Sequence, residues 1–252
     1  MGTRRNTILV SVILGLGLAL ASRGAAPASE VGELKVTIHE WDVPTKGAHP
    51  HDPAVGPDGA LWFTLQVANM VGRLDPRTGK IDMKKVQTAN SHPYGIAINS
   101  KGFPIFCEFA TNKMAKIDPQ SMEITEYMLP EGVRPRRMAI DAGDLVYFTD
   151  YSEGHLGRLD MTSGAVKMWA SPSGAKSAPY GITITPDGMV WYSESGVKPN
   201  TIVRFNPKTE SFARASIPSG GGTVRNMAAT SDGRVYIACS GVNKVGVVEP
   251  AR

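Results

Sequence analysis

Apolar and polar residues alternate along this chain in short strand-like runs, and tight-turn residues interrupt the alternation at nearly regular intervals. Five times an apolar strand runs into an Asp-Gly or similar turn and returns as a second apolar strand. A third strand follows, as in Val71-Gly72-Arg73-Leu74-Asp75, Leu156-Gly157-Arg158-Leu159-Asp160 and Ile202-Val203-Arg204-Phe205-Asn206. The turn glycines are Gly59, Gly102, Gly143, Gly188 and Gly233, spaced by 43, 41, 45 and 45 residues, the period of a four-stranded propeller blade. One such sheet cannot bury both faces alone, and blades packed around an axis hide that surface and protect the strand edges.

Each position in the repeat has its own chemistry. The innermost strand, Tyr94-Gly95-Ile96-Ala97-Ile98 or Tyr180-Gly181-Ile182-Thr183-Ile184, carries small and β-branched residues suited to a crowded axis. Pro57-Asp58-Gly59 and Pro186-Asp187-Gly188 supply the positive backbone dihedral of a tight turn. The second strand, such as Leu61-Trp62-Phe63-Thr64 or Val190-Trp191-Tyr192-Ser193, brings aromatics to fill the space between blades. The fourth strand is polar and outermost, as in Glu123-Ile124-Thr125-Glu126-Tyr127. The last repeat stops three strands in, at Val247-Val248-Glu249-Pro250, while an orphan segment Ile38-His39-Glu40-Trp41-Asp42-Val43-Pro44 precedes the first. The pattern therefore predicts an all-β propeller of five four-stranded antiparallel blades, with the N-terminal strand closing the last blade.

The first residues read as an address. Arg4 and Arg5 precede an apolar run from Ile8 to Ala21, and Ala26-Pro27-Ala28 fits a signal-peptidase site. Residues 1–28 are expected to be a signal peptide and residues 29–252 one propeller domain, exported to the periplasm or beyond, with no membrane association after cleavage. Loss of Arg4, Arg5 and Arg23 lowers the formal charge from +4 to +1. The basic balance thus belongs mostly to the leader. No basic run or aromatic-interleaved arginine cluster remains to grip a nucleic acid. A monomer acting on a small-molecule ligand is expected. Cys107 and Cys239 occupy different strand positions and are predicted to be buried thiols, without metal-knuckle spacing.

The start of an innermost strand and the end of its antiparallel neighbour lie at the same end of a blade. Residues fourteen apart across the turn are therefore predicted to share one rim: His51 with Leu65, Tyr94 with Glu108, Arg136 with Asp150, Tyr180 with Glu194, and Arg225 with Cys239. His49 and His92 stand two residues before the first members of their pairs. A converging ring of His, Tyr, Arg, Glu and Asp is a candidate site, because burying such groups without a purpose costs free energy.

Pro93-Tyr94-Gly95-Ile96, Pro179-Tyr180-Gly181-Ile182-Thr183, Gly56-Pro57-Asp58-Gly59-Ala60-Leu61-Trp62-Phe63-Thr64 and Val71-Gly72-Arg73-Leu74 resemble the repeats of the streptogramin B lyase (virginiamycin B lyase) family, over roughly residues 36–250. The resemblance implies a seven-bladed propeller that uses magnesium to open a cyclic depsipeptide by elimination at its ester. A histidine moves the proton and glutamates hold the metal. Carried over by position, His51 takes the slot of a catalytic histidine and Glu108 that of a metal-binding glutamate. His92 stands where the family has its other metal glutamate, and Tyr94 where it has a second histidine; a His/Glu pair favours a softer metal such as zinc or manganese. The resulting expectation assigns His51, His92 and Tyr94 to catalysis, Glu108 and His92 to a divalent metal, and His49, Arg136, Tyr180, Glu194 and Arg225 to substrate binding. Three functions stay open: a lyase acting on an ester or lactone, a non-catalytic binding propeller using the same rim, and a metal-dependent lactonase of gluconolactonase type drawing on Glu108, Glu194, Asp150 and Asn226.

Overall fold

The structure is a computed structural model that describes residues 37–249; the expected leader and its cleavage site lie outside them. The chain divides after Glu40, and the blades belong to the unit that begins at Trp41.

Five antiparallel sheets follow one another in chain order. The first is β1 (Pro50–Val55), β2 (Leu61–Leu65), β3 (Met70–Asp75) and β4 (Lys80–Lys85); the second is β5 (Pro93–Ile98), β6 (Pro104–Glu108), β7 (Lys113–Ile117) and β8 (Ile124–Met128). The third is β9 (Pro135–Ile140), β10 (Leu145–Asp150), β11 (His155–Asp160) and β12 (Val166–Ala170), and the fourth β13 (Pro179–Ile184), β14 (Val190–Glu194), β15 (Thr201–Asn206) and β16 (Ser211–Ser216). The fifth has three strands, β17 (Val224–Ala229), β18 (Val235–Cys239) and β19 (Lys244–Val248). Innermost strands pack in succession, β1 on β5, β5 on β9, β9 on β13 and β13 on β17. This is the five-bladed propeller pattern that the repeat predicts.

Closure of the last blade by residues 38–44 is not what the structure shows. Residues 37–43 form no strand, and the fifth sheet keeps three. Val43 instead packs with Ala48, Phe63, Leu65 and Leu74 of the first blade, and the Thr45 hydroxyl points at the sulfurs of Met70 and Met83. An amphipathic segment goes where apolar surface is available, and here that surface is the flank of blade one. Tyr236, Val245 and Val247 of the fifth blade and Val55 of the first are left exposed.

Aromatics of the second strands fill the layers between sheets, with Trp62, Phe106, Tyr147, Phe148 and Tyr192 almost fully buried. Each is worth about 1.5–3 kcal/mol of burial. The outer end of the Phe148 ring lies over Gly157, its cross-strand partner, where a Cβ would collide with it. The third-strand glycine is thus space for the aromatic.

In the third repeat the left-handed residue of the hairpin is Asp144 (φ 61°) and not Gly143. Its carboxylate accepts hydrogen bonds from the Ser100 amide (2.9 Å) and hydroxyl (2.7 Å) of the preceding blade, which offsets the strain of a non-glycine residue there.

One feature of the innermost strands positions the site. In all five the ladder slips by one residue at the same place, between Pro50 and Pro53, Pro93 and Ile96, Pro135 and Met138, Pro179 and Ile182, and Val224 and Met227. A bulge of this kind leaves an amide without a ladder partner. Hydroxyls on the second strands supply it. Thr64 accepts from Asp52 N (3.2 Å) and donates to Tyr94 O of the next blade (2.8 Å). Thr149 does the same for Arg137 N and Tyr180 O, and Ser193 for Gly181 N and Val224 O. Each hydroxyl therefore caps a bulge and ties two blades together. Cys107 holds this position in blade two; burial raises its thiol well above the usual range, and Cys107 and Cys239 are both free and buried.

Candidate functional site

The bulges change the rim register. Pro50, Pro93, Pro135, Pro179 and Val224 face Leu65, Glu108, Asp150, Glu194 and Cys239, a pairing of residues fifteen apart where the sequence reading expects fourteen. The predicted ring therefore separates into two sets. One converges between blades at the innermost strands; the other is buried within the sheets.

The convergent set starts with His51, whose imidazole lies 4.1 Å from the Tyr94 ring. Tyr94 and Tyr180, two blades apart, share a hydrogen bond between their hydroxyls at 2.8 Å. The Arg136 guanidinium lies between them, 5.1 Å from the Tyr94 ring and 4.2 Å from Tyr180, and is also 4.5 Å from Phe109 and 4.3 Å from Tyr151. Four rings thus surround one cation within cation–π range. Arg137 lies 5.1 Å from the same Tyr94 ring and forms an ion pair with Asp52. Consecutive strand residues normally point to opposite faces; the bulge lets Arg136 and Arg137 both reach Tyr94.

The electrostatics follow. Burial, then the charges of Arg137 and Arg136, hold the His51 imidazole below its ordinary value, so it is neutral at neutral pH. Its Nδ1 lies 2.8 Å from Asp52 Oδ1. A carboxylate can only accept, so Nδ1 carries the proton and Nε2 keeps its lone pair. Burial works to raise the Tyr180 phenol, but the hydrogen bond with Tyr94 and the Arg136 and Arg137 charges outweigh it and hold Tyr180 below the usual range. Tyr94 is raised by burial and by that same hydrogen bond.

The second set belongs to the blade interiors. Glu194 accepts from the Ser171 hydroxyl (2.6 Å), the Ser173 amide (2.8 Å) and hydroxyl (2.6 Å), and the Thr201 hydroxyl. Asp150 accepts from the amides of Arg134, Ser152 and Glu153 and lies 3.1 Å from His155 Nδ1. Glu108 is fully buried, and neither of its carboxylate oxygens has a hydrogen-bond partner. Burial, reinforced by the Glu126 charge, pushes it up to about 7. Of the remaining predicted residues, His49 and His92 have exposed side chains on left-handed backbone (φ 55° and 51°), and Arg225 is exposed at the start of β17.

An orphaned carboxylate such as Glu108 is the kind of group a cation would satisfy, but the donor set around it does not fit one. Glu126 is committed to Lys113 (2.7 Å) and Thr88, His92 is exposed on its loop, and among the described residues no group of three His, Cys, Asp or Glu side chains is arranged to share a metal ion. The lactonase donor set is likewise dispersed, since Glu194 and Asp150 are saturated inside separate blades.

Sequence reasoning did not single out Asp52, Arg137, Phe109 or Tyr151. Phe109 and Tyr151 each follow directly on a second strand, after Glu108 and Asp150, and that shared position was the available signal.

The profile of the virginiamycin B lyase family matches residues 25–161, more than half of the chain. The chain belongs to the virginiamycin B lyase family. A curated virginiamycin B lyase from Saccharopolyspora erythraea is 46% identical over 44 residues, a segment that makes up 18% of this chain and only 15% of that protein. A solved structure of a catalytically inactive histidine-to-alanine variant of virginiamycin B lyase from Staphylococcus aureus, with quinupristin, matches at a TM-score of 0.79 and 28% identity, over 86% of this chain and 72% of that one. A gluconolactonase from Xanthomonas campestris, at 16% identity and a TM-score of 0.58 over 79% of this chain and 71% of its own, shares the fold alone. Relatives named as lyases make a lyase-type enzyme the family's character.

Proposed function

We propose that this protein is a carbon–oxygen lyase that opens an ester or lactone of a small molecule by elimination, in an exported location, with His51 as the base. The observation that carries the reading is the Asp52–His51 contact beside Tyr94 and the two arginines. It supports a neutral imidazole with a fixed tautomer and a free Nε2, the form a general base needs.

The step balances without water. His51 Nε2 takes the proton on the carbon alpha to a carbonyl; the C–H electron pair becomes the new carbon–carbon double bond. The bond from the β-carbon to the ester oxygen breaks, and its electron pair leaves with a carboxylate. Solvent then removes the proton from His51. No step is routed through a metal, since the Glu108 surroundings do not supply a ligand set.

Incubation with a streptogramin B depsipeptide and mass analysis of the product tests the reading. A linear product of unchanged mass with a new double bond is expected. A product heavier by one water would support a lactonase instead, and intact substrate after saturable binding would support the binding propeller.

A further inference from the structure

We infer that Arg136 and Arg137 form a carboxylate-binding subsite that receives the departing acid group of the opened ester. This inference deepens the elimination reading and rests on it only for the catalytic use of the subsite, not for its affinity.

The two guanidiniums converge on the Tyr94 ring, both at 5.1 Å. Only one has a counter-ion: Arg137 pairs with Asp52, and no described carboxylate pairs with Arg136. The buried Nε atoms of both lack a hydrogen-bond partner. The four rings around Arg136 fix its position without neutralising its charge, and its guanidinium also hydrogen-bonds the Tyr94 and Tyr180 hydroxyls, which are neutral partners. Burial, with Arg225 as a further positive neighbour, pushes Arg137 below its ordinary value despite its ion pair. The Tyr94–Tyr180 hydroxyl pair borders the same space.

What this arrangement recognises is a planar anion with two oxygens, for which guanidinium is the matching partner. A carboxylate is also what an elimination at an ester's alkyl–oxygen bond expels. Charge that appears on the leaving group as the bond breaks would meet fixed positive charge already in place, and such preorganised stabilisation is the strongest electrostatic device available to an active site.

The test uses the full chain and two probes of equal shape, benzoate and benzamide, titrated by calorimetry at fixed pH and ionic strength. Benzoate should bind at least about tenfold more tightly than benzamide, as expected for one charge-assisted contact, and added salt should erode the difference. Arg136→Gln should abolish the preference and Arg136→Lys should keep part of it. Arg77→Gln, at an exposed arginine in the turn between β3 and β4, should leave it intact. Equal binding of the two probes by the unaltered protein, or a preference lost equally in Arg77→Gln, would overturn the subsite. Should Arg136→Gln unfold, shown by its melting curve, the probe comparison and salt dependence of the unaltered protein decide alone. A benzoate preference with no elimination product would leave the subsite standing and defeat the lyase reading; elimination without any preference would do the reverse.

Discussion

Arg137 of the third blade is ion-paired with Asp52 of the first, past the equivalent position of the second blade, which is Gly95. A Cβ on Gly95 would meet the Arg136 carbonyl at 2.8 Å and the Arg137 Cα at 3.4 Å. The innermost strands of blades two and three can approach this closely only because position 95 has no side chain, and that approach brings Arg137 within reach of blade one. The ion pair in turn holds the carboxylate that orients His51.

Substitution of Gly95 by Ala should therefore disturb both packing and chemistry. The obstructing atom is backbone, which cannot swing aside, so a loss of about 1–3 kcal/mol is expected from overpacking. Urea unfolding measures it. The Arg137–Asp52 pair should loosen with it, and the elimination rate should fall more than the affinity for substrate.

His51→Ala should lower elimination by about 10²–10⁴-fold, the usual worth of a general base. In the unaltered protein the reactive form is neutral and its pKa is held below the ordinary histidine value. The rate should consequently be on its plateau at pH 7 and fall only as the solution is acidified below that pKa. Arg137→Gln removes a positive neighbour and frees Asp52 to favour the imidazolium, so the acid limb should move to higher pH. A limb that stays put, or moves to lower pH, would contradict the electrostatic assignment.

Glu108 gives a prediction about stability. Its carboxyl is raised from 4.5 to about 7, so the folded protein holds this proton more tightly than the unfolded chain does. The stabilisation this provides is complete below the unfolded value of 4.5 and is lost as pH rises toward and through 7. Glu108→Gln should flatten the pH dependence of melting between about pH 5 and 8 and stabilise the protein at pH 8 by about 1–2 kcal/mol. A melting profile as steep as that of the unaltered chain would show that Glu108 gains a partner or charge compensation in solution.

The hydroxyl stitches can be tested at Thr149, which accepts from Arg137 N and donates to Tyr180 O. Thr149→Val keeps the shape and removes both bonds, leaving a bulge amide and a carbonyl unpaired at a blade interface. A cost of about 1–3 kcal/mol is expected in denaturant unfolding.

The sequence by itself determined the blades. The spacing of Gly59, Gly102, Gly143, Gly188 and Gly233 and the recurring aromatic second strands are local properties, set by turn chemistry and by period-two burial, and both survive in the folded protein. His51, Tyr94, Arg136 and Tyr180 were legible as one group for the same reason, since they occupy one repeat position. The tertiary structure decided what that group faces. A one-residue bulge in each innermost strand moved Glu108, Asp150 and Glu194 out of the ring and brought Asp52 and Arg137 into it, and strict alternation cannot reveal a bulge whose unpaired amide is satisfied by a hydroxyl on the next strand. The path of residues 41–45 was equally a tertiary matter: their apolar pattern suits a strand, but Val43 and Thr45 found partners on blade one, and pattern alone carries no information about which surface will be open.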